Sequence, residues 1–86
     1  MKEIEVGRVG DYFKKIGVVA IDITAGEISV GDTLHFKGNT TDFTQEVDSM
    51  QIEHENVDKA GVGTSVGIRV MERVRKHDHV YKIVED

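Results

Sequence analysis

Gly17-Val18-Val19-Ala20-Ile21-Asp22-Ile23-Thr24-Ala25-Gly26-Glu27-Ile28-Ser29-Val30-Gly31-Asp32-Thr33-Leu34-His35-Phe36 is the stretch that decides the fold. From Gly17 to Thr24, Val19, Ile21 and Ile23 alternate with Val18, Ala20 and Asp22, and a period of two sets each group on its own face of a strand. Ala25-Gly26-Glu27 and Gly31-Asp32 are turn signals that bracket Ile28 and Val30. Leu34 and Phe36 then share one side, with Thr33, His35 and Lys37 on the other.

The same grammar extends in both directions. Upstream, Ile4 and Val6 alternate with Glu3 and Glu5 in a strand predicted to end near Gly10-Asp11. Downstream, Gly38 to Asp42 reads as a polar loop, and Met50 and Ile52 alternate with Ser49, Gln51 and Glu53. Ala60-Gly61-Val62-Gly63 reads as a turn-rich break. Val66, Ile68 and Val70 alternate again, and Val80 to Val84 forms a last strand. Only Val70 to Lys76 has a helical spacing, through Val70 and Val74 and the pair Glu72 and Lys76, and it is too short to outweigh the strands around it.

Composition agrees. Val and Ile number 21 against 4 for Leu and Ala together, and β-branched side chains favour pleated surfaces over helices. The 86 residues make one domain, 1–86. Short antiparallel strands must bury one face and protect their edges. The expectation is therefore an all-β fold, a small closed or nearly closed Greek-key β-barrel of about six antiparallel strands. A two-sheet sandwich is the alternative.

The chain has no Cys, which excludes disulfides, thiolate metal sites and cysteine nucleophiles. No Gly-rich loop ends in Gly-Lys-Ser/Thr, so no nucleotide site is expected, and neither a nucleophile elbow nor a His-Glu zinc helix is present. The expectation is a chain that is not an enzyme and needs no cofactor. The N-terminal stretch is acidic where a signal peptide would be apolar, and the longest apolar run is Val18 to Ile21, so no membrane association and a cytoplasmic location are expected. The net charge is −5, concentrated in residues 38–61. Arg69, Arg73, Arg75 and Lys76 form the basic cluster outside Lys14-Lys15.

Four places could carry chemistry. Tyr12-Phe13-Lys14-Lys15 sets two aromatics beside two cations, able either to stack a base and hold a phosphate or to plug the mouth of a small barrel. Thr41, Asp42 and Phe43 lie in a segment that forms either a capped turn anchored by Phe43 or a recognition loop. Arg73 and Arg75 complete the candidate binding surface. His77-Asp78-His79 could bring two imidazoles to one face but lacks a third metal ligand, and Glu53-His54-Glu55 reads as polar strand termination.

Ala25-Gly26-Glu27-Ile28-Ser29-Val30-Gly31-Asp32-Thr33-Leu34, preceded by the Val18–Ile23 strand, resembles the second domain of translational GTPases such as elongation factor Tu. Ala60-Gly61-Val62-Gly63-Thr64-Ser65-Val66-Gly67-Ile68 is similar to that domain's later turn and strand. Tyr12 to Gly17, Gly38 to Gln45 and Ser49 to His54 resemble elongation-factor-like proteins and the C-terminal domain of collagenase-like peptidases. The likeness runs from about residue 4 to residue 84. It implies a non-catalytic β-barrel binding module, contacting RNA or a translation-associated protein. The alternative is a protein–protein accessory domain that docks a separately encoded enzyme.

Overall fold

In a computed structural model, residues 2–85 are described. Among them the chain forms ten strands: β1 (Lys2–Phe13), β2 (Val18–Ile23), β3 (Glu27–Ser29), β4 (Thr33–Lys37), β5 (Asp42–Glu46), β6 (Met50–Ile52), β7 (Glu55–Val57), β8 (Lys59–Gly61), β9 (Ser65–Arg69) and β10 (His79–Val84). The fold is all-β. Eight strands form one antiparallel sheet in the order β5-β4-β10-β1-β2-β9-β6-β7, and β3 pairs with β8 in a separate ribbon. No helix among the described residues is long and apolar enough to cross a membrane.

β1 organises the sheet because it serves two partners. Its first half pairs with β10, Lys2 opposite Val84 through Arg8 opposite His79. Its second half pairs with β2, Gly7 opposite Ile23 through Phe13 opposite Val18. Register shifts between Glu5 and Gly7, and again between Val9 and Asp11, bend the strand between the two ladders. The shifts also break the simple alternation: Ile4 is exposed, while Val6 and Val9, three apart, are both buried. At Gly7 the bend brings the Asp22 carbonyl oxygen into the space a Cβ would occupy.

The sheet curls over one core. Phe36 on β4, Ile21 on β2, Ile68 on β9, Met50 on β6 and Ile28 on β3 are each at most 1% exposed and belong to a single cluster. Phe36 and Phe43 stack with centroids 5.0 Å apart, tying β5 to β4. Val70 and Val74 are also buried, which anchors the irregular segment after β9.

The structure corrects two particulars of the expected barrel. There are ten strands rather than about six, because β3, β6, β7 and β8 have three residues each, too few to display a period. The sheet also ends at β5 and β7 instead of closing. Beyond Arg69 the chain leaves the extended form, and a side chain spans the gap beside β5. The Gln45 Nε2 amide donates to the Arg69 carbonyl at 2.8 Å, and Gln45 Oε1 accepts from the Met71 N–H at 2.9 Å.

Candidate functional site

The β1–β2 connection starts from a strand whose last residue, Phe13, is apolar but has no core beneath it. Ile16 N–H and Gly17 N–H both donate to the Phe13 carbonyl, at 3.2 and 2.9 Å, and Val70 N–H donates to the Gly17 carbonyl at 2.9 Å. These bonds hold the loop in one shape. Tyr12 packs against the core, whereas Phe13 is 47% and Ile16 is 64% exposed. Lys14 and Lys15 between them are exposed. The two aromatics therefore divide the roles expected of them, Tyr12 supporting the core and Phe13 facing outward.

Phe13, Ile16 and Val18 form one wall of a groove of about 490 Å³, with Gln51, Glu53 and His54 among the residues opposite. Its far rim is the β6–β7 hairpin, where Ile52 pairs with Glu55 across a two-residue turn. Glu53 (φ 50°) and His54 (φ 67°) both adopt left-handed backbone. Such turns are ordinarily made by Asn-Gly. Holding two side-chain-bearing residues there costs on the order of 1 kcal/mol each, and strain of this kind collects at functional sites.

The other candidate residues lie elsewhere. Thr41 and Phe43 are buried. Gly38 N–H donates to the Thr41 carbonyl at 2.8 Å to close the β4–β5 turn, and Phe43 has the anchoring role of the capped-turn reading. Arg73 and Arg75 are exposed, and Arg75 Nε donates to Thr40 Oγ1 at 2.8 Å, joining the basic segment to that turn. Among the described residues no hydrogen bond or ion pair links Lys14 or Lys15 to this pair. A second cleft, about 420 Å³, lies between Gln45, Glu46, Asp48, Ser49, Arg69 and Met71. Gln45 is already committed across it, so the cleft is the seam beside β5.

Asp42 belongs to a third arrangement, on the exposed face of β1, β4, β5 and β10. His35 places Nδ1 2.8 Å from Glu3 Oε1 and Nε2 2.6 Å from Asp42 Oδ1, and its side chain is 13% exposed. The hydrogen bond to Asp42 and then that to Glu3 raise the His35 pKa above its ordinary 6.5, against the opposing effect of burial. The Asp42 pKa is lowered from 3.8, chiefly by its hydrogen bond to His35. A raised imidazole pKa contributes stability that is complete below pH 6.5 and lost as pH climbs through the folded value. A lowered carboxyl pKa contributes stability that is present above pH 3.8 and lost as pH falls through its folded value. Urea unfolding is therefore expected to show a contribution that peaks between these limits and declines as the pH rises above 6.5. His35→Gln should flatten that slope.

His79 Nδ1 lies 2.5 Å from Glu5 Oε2. The Asp78 carboxylate, buried, accepts from the Arg75 N–H at 2.9 Å. Among the described residues no group of three or more His, Cys, Asp or Glu is arranged to hold a metal ion.

With the groove and the turns in place, comparison with known proteins is informative. The chain is 39% identical over 85 residues to an uncharacterized protease of Methanocaldococcus jannaschii, covering 98% of this chain and 21% of that protein. It is 35% identical over 82 residues to a collagenase of Porphyromonas gingivalis, covering 94% of this chain and 20% of that one. The relatives are proteases. The chain spans about a fifth of their length. Among solved structures, the C-terminal domain of a candidate U32 peptidase of Geobacillus thermoleovorans superposes with a TM-score of 0.86 at 20% identity, covering 93% of this chain and 92% of that one. That likeness establishes the fold. No family model matches.

These matches overturn the expectation of a translation-factor module, and the reason is visible in the turns that suggested it. In the Val30-Gly31-Asp32 step, Gly31 adopts φ 96° and Asp32 Oδ2 accepts from the Ser29 N–H at 2.8 Å. In the Gly61 to Thr64 step, Thr64 Oγ1 donates to the Gly61 carbonyl at 2.5 Å. Both motifs encode turn geometry that this β-fold needs whatever its ligand, so they report architecture and not translation. With them goes the main reason for expecting RNA.

The sequence singles out Phe13, Lys14 and Lys15 as a binding surface, whereas Ile16 is only part of a family motif and Glu53-His54-Glu55 reads as polar strand termination. An isolated Ile in a Lys-Lys-Ile-Gly loop is a readable signal, since its polar and Gly neighbours give it no apolar partner within the loop. The left-handed backbone at Glu53-His54 left no trace, because neither residue is a usual choice there.

Proposed function

We propose that this chain is a non-catalytic accessory domain that docks on a peptidase body. The observation that carries this reading is the shape of the match to the relatives: almost all of this chain aligns with about a fifth of a protease. A unit used as one part of such a protein serves the rest of it by contact. His35 supports the non-catalytic part. Both ring nitrogens of His35 are engaged by carboxylates, which leaves that imidazole no free lone pair to accept a proton.

Affinity purification of the tagged chain from the native lysate, with and without RNase, tests the reading. The expected result is RNase-insensitive recovery of a protein whose mass-spectrometric identification shows a peptidase body. The chain alone should not cleave a collagen-derived peptide. Recovery that disappears with RNase, or recovery of no peptidase, would sink it.

A further inference from the structure

We infer that the groove between the Phe13–Gly17 loop and the Glu53-His54 turn is the surface on which the peptidase body sits, an inference that rests on the docking function proposed above. Phe13 and Ile16 are large, 47% and 64% exposed, and belong to one loop pinned by backbone hydrogen bonds from Ile16 and Gly17. Exposed apolar side chains gathered on one groove mark an interaction site more often than those scattered singly do. Aromatic residues are enriched at interfaces because they supply much contact area at little entropic cost.

The opposite wall is preformed as well. The β6–β7 hairpin holds Glu53 and His54 in left-handed backbone, which fixes where the turn can place them. The groove is open rather than a closed cavity, and its apolar wall stands proud on a loop. That shape suits a protruding segment of another protein better than a small molecule.

The occupant follows from what the relatives carry beyond this segment, about four-fifths of a protease chain. Charge specifies the contact further. Lys14 and Lys15 lie between Phe13 and Ile16 in the loop of one wall, and Glu53 lines the opposite one. The matching surface on the peptidase body presents an apolar side chain, with an acidic group toward the lysines and a basic group toward Glu53. Such charge pairing at the rim sets orientation and encounter rate.

The test is a titration of the purified peptidase recovered by the wild-type chain, using wild type, Phe13→Asp/Ile16→Asp and Arg73→Ala/Arg75→Ala. All substituted side chains are exposed, and the melting midpoint of each chain is measured first, so that binding is compared only between folded chains. Binding at least tenfold weaker for the Phe13→Asp/Ile16→Asp chain, and unchanged for the arginine variant, is the expected result. Undiminished affinity of the Phe13→Asp/Ile16→Asp chain overturns the assignment of the surface while leaving the docking function standing. If the wild-type chain recovers no peptidase, the docking function and the surface fall together.

Discussion

Replacing Phe36 by Ala is expected to remove about 3–5 kcal/mol of folding stability. The ring is fully buried at 0% exposure and stacks on Phe43 at 5.0 Å with an interplanar angle of 18°. Truncation loses the transfer energy of the ring, the stacking, and the contacts of atoms left facing a void. Neighbours cannot collapse into the space, because β4 is held between β10 and β5 by ladders on both sides. A domain of this size has about 5–15 kcal/mol in total, so the variant should be marginal at room temperature. Urea unfolding with an unchanged slope and a sharply lower midpoint would show it. A loss below about 1 kcal/mol would mean that Phe36 is not the centre of the core.

Gly7→Ala should cost about 2–3 kcal/mol for a single added methyl group. The new Cβ would meet the Asp22 carbonyl oxygen, with Ile21 Cγ2 at 3.1 Å behind it. A flexible side chain could swing away, but the obstacle is backbone within β2, which is itself laddered to β9. The bend in β1 would have to open. Gly61→Ala supplies the contrast, since a Cβ there meets nothing within 4 Å, and its stability should stay within about 0.5 kcal/mol of wild type. Thermal melts of the two variants side by side decide the matter.

The strands that could be read in the sequence are those long enough to show a period. Val19, Ile21 and Ile23 face the core together, as do Leu34 and Phe36, and Val66 with Ile68. β1 was legible only to Gly10, because its two register shifts put Val6 and Val9 on the same face and disguise twelve residues as something shorter. Ala60-Gly61 reads as a turn by composition, yet both residues pair with β3. Three residues in a ladder carry too little pattern to override a Gly. The Val70 to Lys76 spacing reflects two core anchors on an irregular segment, not a helix. At the site, Phe13 was visible as an aromatic among cations. Its neighbour Ile16 and the opposing turn became meaningful only when the fold placed them across one groove.

β1 lies beside the last strand of the sheet as well as the second, which has a consequence for how the chain is made. On the ribosome, residues 2–13 and 18–23 can zip into a hairpin early, but the other edge of β1 must wait for residues 79–84 to emerge. Until then Leu34 and Phe36, whose strand pairs with β10, have no permanent cover. Closure across so long a span of chain makes folding slow for the size of the domain. The nascent segment stays open to capture and aggregation until residues 79–84 have emerged, so its folding is expected to be sensitive to chaperones.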